Sequence, residues 1–149
     1  MIDYTIENFK SKLNNGNKVV LFGAGNIGGL TYHIFNDLGI KIDFFCDNDE
    51  RRYDLTTVKE IKNYEGIGNY KVISYDELIL LGKDTNIILC NQYFSYCIPK
   101  LQEDNFKNVY NPSNLLRKYD IAKIFKGDLH GLKIKRIVDY FCEMSNKFQ

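Results

Sequence analysis

The stretch VVLFGAGNIGGL, Val19–Leu30, sets an unbroken apolar run directly against glycines at Gly23, Gly25 and Gly28. A short apolar run bounded by glycine reads as a buried strand, Lys18 to Phe22. The residues that follow place Ile27, Leu30, Ile34 and Leu38 on one stripe of a helix from Asn26 to Leu38, with Gly39 at its stop. In a strand, glycine loop and helix of this kind each glycine has its own task. Gly23 lets the chain turn tightly, Gly25 removes a side chain from the path of a pyrophosphate, and Gly28 lets helix and strand approach closely. Negative charge at such a loop is met by unpaired N–H groups and the positive end of the helix, so no lysine is required.

Working outward, a second strand from Lys41 to Cys46 ends in Asp47-Asn48-Asp49. Asp47 stands roughly 20 residues beyond the glycines, where a carboxylate accepts hydrogen bonds from the ribose hydroxyls of an adenosine. The competing role for Asp47 is a turn made with Asn48. A 2′-phosphate beside Asp47 would be repelled, which favours NAD over NADP, although Arg51 or Arg52 swinging in would reverse the sign. Methyltransferases also use a glycine-rich turn, but they carry an acid at the end of the first strand, where this chain has Leu21 and Phe22. The loop is closer to a dinucleotide fold.

The remaining periodicity alternates between short β-branched runs and helical spacing, as βαβ units do. Thr5 to Leu13 is a short helix with Ile6, Phe9 and Leu13 on one face, broken by Asn14-Asn15-Gly16-Asn17. Glu50 to Asn69 is a charged surface segment without sustained period. Lys71 to Ile73 is a third strand, and Ser74-Tyr75-Asp76-Glu77 has the capping-box spacing that opens a helix through Leu81. Asn86 to Cys90 is a fourth strand, Phe94 to Glu103 a helix that Pro99 shortens or kinks, and Asn108 to Tyr110 a fifth strand closed by Asn111-Pro112. From Ser113 the pattern is helical, with Leu115, Leu116, Tyr119, Ala122 and Phe125 before Lys126-Gly127-Asp128. A last helix carries Ile134, Ile137, Val138 and Phe141. The expected fold is α/β and Rossmann-like: a mostly parallel, doubly wound sheet over about 18–112, with additional C-terminal helices over about 113–149, all in one domain.

At 149 residues and 44% apolar composition, the chain supports one well-packed domain. Lys and Arg number 20 against 19 Asp and Glu, so no net field draws it toward nucleic acid or an anionic membrane. Nothing approaches the length of a transmembrane helix, and MIDYTIENFKSKL lacks the apolar core of a signal peptide, so no membrane insertion and a cytoplasmic location are expected. Cys46, Cys90, Cys97 and Cys142 show no metal spacing and read as reduced, buried thiols, so no metal is expected.

Catalytic residues are not identified by the sequence. Tyr96-Lys100 and Tyr119-Lys123 match a Tyr-x-x-x-Lys pair, but 11 tyrosines generate such matches by chance, and neither has the serine expected upstream. Cys90-Asn91-Gln92 falls where the fourth strand ends beside the first, in the crevice where doubly wound sheets bind ligands, which makes Cys90 and Asn91 candidate contacts. A cysteine nucleophile needs a nearby base, and neither His33 nor His130 is an evident partner. Tyr93, Phe94 and Tyr96 open a helix there, suited either to stacking on a base or sugar or to packing.

The runs VVLFGAGNIGG, FFCDND, KVISYDEL and NIILCNQYF, with an Asn-Val strand after them, resemble the nucleotide-binding domain of bacterial cell-surface polysaccharide biosynthesis proteins. That domain is similar to the N-terminal part of nucleotide-sugar epimerases, dehydratases and quinovosamine dehydrogenase-like proteins. Similar domains precede some sugar acyltransferases and methyltransferases, where the loop holds a nucleotide sugar instead of NAD. Over Lys18 to Pro112 the resemblance implies phosphate contacts at Gly23, Ala24, Gly25, Asn26, Ile27 and Gly28, and a ribose contact at Asp47 with Asn48 adjacent. It implies NAD as cofactor, with NADP or a UDP-sugar as alternatives. The helices from Ser113 to Gln149 are too short for a separate sugar-binding module, so chemistry would come from a partner catalytic domain or subunit. The alternative is a regulatory module that binds a nucleotide and forms a homo-oligomer through its terminal helices, with Ile134, Ile137, Val138 and Phe141 as the contact, although core packing on the sheet is the commoner use of such a stripe.

Overall fold

The computed structural model describes residues 2–48, 71–120 and 128–148; for residues 2, 3, 128–133 and 148 it describes the backbone alone. The segment Glu50 to Asn69 with Arg51 and Arg52, and the residues Ala122, Lys123, Phe125, Lys126 and Gly127, lie outside the described residues, as does the side chain of His130.

In chain order the elements are β1 (Ile2–Asp3), α1 (Ile6–Leu13), β2 (Val19–Phe22), α2 (Asn26–Asp37), β3 (Phe44–Cys46), β4 (Val72–Ile73), α3 (Tyr75–Leu81), β5 (Asn86–Leu89), α4 (Phe94–Glu103), β6 (Asn108–Asn111), α5 (Ser113–Lys118) and α6 (Asp128–Phe148). The strands form one sheet in the order β1-β6-β5-β2-β3-β4. Every pairing is parallel. The molecule is an α/β protein with a Rossmann-like arrangement and helices on both faces of the sheet.

Sequence and position agree in the middle of the sheet. In β2 and β5 all residues are buried, as strands covered on both faces must be, and Leu21 pairs with Ile88 in register. The polar member, Asn86, is buried but matched: its Nδ2 donates to Asn15 Oδ1 at 2.9 Å and its Oδ1 accepts from Asn15 Nδ2 at 3.1 Å. Five of the strands fall where apolar runs place them. The sixth, β1, lacks any such signal; it adds to the edge by pairing Ile2 with Tyr110 and Asp3 with Asn111.

For this strand order, the rule that parallel crossovers are right-handed places α1 and α2 on one face and α3 and α4 on the other. The side chains agree: the rings of Phe9 in α1 and Phe35 in α2 lie 5.9 Å apart, while the Tyr75 hydroxyl of α3 donates to Asp104 just after α4. Helix α4 runs unbroken through Pro99. The carbonyl that loses its partner there is that of Ser95, which is exposed along with Pro99 and so lies on the solvent side of the helix.

Helix α6 packs on α2, α4 and α5, and so touches helices from both faces. Ile134, Val138, Phe141 and Cys142 are buried, and the rings of Phe141 and Phe94 lie 5.3 Å apart. The C-terminal apolar stripe is therefore part of this chain's own core. No described helix is long and apolar enough to cross a membrane.

Candidate functional site

The glycine loop leaves β2 at its carboxyl end, with β3 on one side and β5 on the other. Gly23 has φ +124°, open to glycine, and a Cβ there would sit 2.9 Å from the backbone carbonyl carbon and oxygen of Cys90. Gly28 faces back onto the loop: a Cβ would fall 1.8 Å from Gly23 O and 3.5 Å from the Phe45 ring. The turn and the close helix approach expected of these two glycines are both present. Gly25 occupies the cap position of α2 and has no side chain to satisfy the first N–H groups of the helix.

Two loop amides are already engaged. Gly23 N–H donates to Cys46 O at 2.7 Å, and Ala24 N–H donates to Asp47 Oδ2 at 2.8 Å. Asp47 follows β3, held in place by its own N–H donating to Ile73 O of β4 at 3.1 Å. The carboxylate thus braces the glycine loop across the strand boundary. A carboxylate has about four acceptor positions, more than a single amide occupies. For an anion, the donors left by this arrangement are the N–H groups at the start of α2 rather than those of Gly23 and Ala24.

A cleft of about 950 Å³ opens over these strand ends. Of the residues singled out by the sequence, Gly23, Gly25, Asn26, Ile27, Asp47, Asn48, Cys90 and Asn91 line it, whereas Ala24 and Gly28 do not. Ala24 is buried behind the loop, with its amide on Asp47, and Gly28 lies beneath Gly23. Cys90 and Asn91 follow β5, whose partner is β2, so the crevice placement expected of them is the observed one.

The cysteines are buried thiols, none in a disulfide among the described residues. Burial pushes the Cys90 thiol up to about 12, and burial also raises Cys97. The Cys46 thiol is raised by burial first and by the Asp47 carboxylate second. Thiols in this state are poor nucleophiles. His33 is buried within α2 and is not among the residues lining the cleft. Of the two Tyr-x-x-x-Lys matches, the first has Lys100 3.5 Å from Asp104 and 5.6 Å from the Tyr75 ring centroid; in the second the Tyr119 hydroxyl donates to Asp37, and Lys123 lies outside the described residues.

The aromatic cluster that opens α4 divides by role. Phe94 is buried against Phe141, while Tyr93 and Tyr96 stand in the cleft, 64% and 66% exposed. The far wall, Arg136, Ile137, Tyr140 and Phe141 of α6, was not anticipated by the motifs. Their spacing does place them on one helix face, the signal available in the sequence, but which face meets the cleft depends on how α6 packs. Compared with protein-family models, curated proteins and solved structures, the chain matches none.

Proposed function

We propose that the chain binds a diphosphate-bearing nucleotide, NAD or a nucleotide sugar, with the diphosphate at the start of α2 and a ribose on Asp47. The observation that carries this reading is the convergence, in one cleft at the carboxyl ends of β2, β3 and β5, of a side-chain-free helix start and a carboxylate held beside it. Asp47 favours NAD over NADP by charge. The setting suggested by the sequence resemblance is sugar modification or oxidoreduction in cell-surface polysaccharide biosynthesis, with catalysis supplied by another domain or subunit.

Gly25→Val tests the site. Gly25 has φ −95°, outside the left-handed region, and ψ −148°, beyond the usual β region, so the test is read on a variant that circular dichroism shows to be folded, in which the valine fills the approach to the α2 amides. Titration calorimetry should show nucleotide binding to the parent chain and none to a folded Gly25→Val variant; unchanged affinity would move the site elsewhere.

A second reading is a binding or regulatory module without turnover. It is favoured by the protonated thiols and by a cleft with no histidine or lysine among its described lining residues. Stoichiometric binding without hydride transfer or sugar conversion would support it. Because Ile134, Val138 and Phe141 are buried in the chain's own core, self-association through the terminal helices would need another face.

A further inference from the structure

The wall opposite the glycine loop is unlike ordinary surface. Five large hydrophobic side chains are exposed among the described residues, and three of them, Tyr93, Tyr96 and Tyr140, line this one cleft. Single exposed aromatics are common, but aromatics converging on one concavity from two helices form a recognition surface. Each ring presents a flat apolar face and a hydroxyl that both donates and accepts.

Amides stand beside these rings. Asn91 Oδ1 accepts from Tyr93 N–H at 2.9 Å, so the group Asn91 can offer is its NH2. Gln92 is exposed at the same strand end. Arg136 is the one cation among the described lining residues, on a cleft whose opposite side is the N-terminus of α2.

This chemistry suits a pyranose better than a nicotinamide. A sugar ring has C–H faces that pack on aromatic rings and hydroxyls that need both donors and acceptors, which tyrosine and side-chain amides supply together. Hydride transfer to or from a nicotinamide needs a group that moves the proton on the substrate's oxygen. No described lining residue is a histidine or lysine, either to do this or to pair with a cleft tyrosine, and Asp47 lies on the β3 side, bonded to the loop.

We infer that the wall formed by α4 and α6 is a glycosyl subsite, in which Tyr96 and Tyr140 pack on the pyranose of a nucleotide sugar, Asn91 and Gln92 hydrogen-bond its hydroxyls, and Arg136 balances the diphosphate charge. The inference rests on the diphosphate reading above and assigns the group attached beyond it.

Titration calorimetry on the whole chain, with UDP and UDP-glucose, dTDP and dTDP-glucose, GDP and GDP-mannose, and ADP and NAD, tests it. Within the nucleotide series that binds, the sugar form should exceed its parent diphosphate by on the order of tenfold, as expected for one stacked ring with a hydrogen bond or two. NAD should bind no more tightly than ADP. Tyr140→Ala should remove the sugar increment and Tyr140→Phe should keep most of it, with circular dichroism confirming that both variants are folded. Equal affinity for sugar nucleotide and parent diphosphate, or an equal loss for both in Tyr140→Ala, overturns the subsite and leaves the diphosphate reading standing. An NAD increment over ADP that Tyr140→Ala removes assigns the wall to nicotinamide instead. Binding of none of these compounds overturns the diphosphate reading and the subsite with it.

Discussion

Single residues decide the geometry of the loop, and these were the most legible in the sequence. Gly28 packs on the backbone of Gly23, and Asp47 closes onto Ala24 from the next strand, so short-range spacing was enough to bring them together. Tyr140 and Arg136 were not legible in the same way, because their presence at the cleft depends on where a distant helix comes to rest. A residue-scale prediction concerns His33, buried in α2 with its ring edge-on to Tyr32 at 5.0 Å. Burial lowers its pKa from the usual 6.5 to about 4, so the unfolded chain takes up the proton first as pH falls. The stabilisation is complete above about pH 6.5 and is lost as pH drops toward about 4. Between about pH 7.5 and about pH 5 the parent protein should lose on the order of 2 kcal/mol more than a His33→Gln variant, read from urea midpoints. Parallel pH profiles for the two proteins would refute this.

Elements were legible where they carry their own punctuation. Helix α3 is the clearest case: Glu77 N–H donates to Ser74 Oγ at 3.2 Å, Ser74 N–H donates to Glu77 Oε1 at 3.3 Å, and Lys71 lies 3.5 Å from Glu77. The Ser-x-x-Glu spacing predicted this box because all of its partners lie within one turn. Ser74→Ala should cost about 1 kcal/mol of stability without changing the denaturant slope, measured by equilibrium urea unfolding. A loss within error of zero would mean that water caps the helix equally well. Strand β1 is the opposite case. Its two residues offer no periodicity, and only the exposed edge of β6 makes them a strand.

For the whole molecule, the C-terminal helices expected from the apolar stripe are present, but the sequence does not say where they pack. Helix α6 reaches helices from both faces and forms a wall of the cleft, a placement set by tertiary packing rather than by local pattern. Adjacent residues of α6 should then behave very differently. Phe141, 1% exposed and packed on Phe94, should cost about 3–5 kcal/mol when replaced by alanine. Tyr140, 50% exposed, should change stability by no more than about 0.5 kcal/mol on the same substitution. Chemical denaturation of both variants checks the contrast, and similar losses would mean that α6 is docked in another rotation.

The brace between Asp47 and the Ala24 amide has a consequence for any redesign of this cleft. Position 47 is not independently adjustable: an exchange made to alter what the cleft accepts also slackens the strand-to-helix turn. Retuning selectivity here takes two coordinated changes, one at the acid and one that gives the orphaned amide a new acceptor.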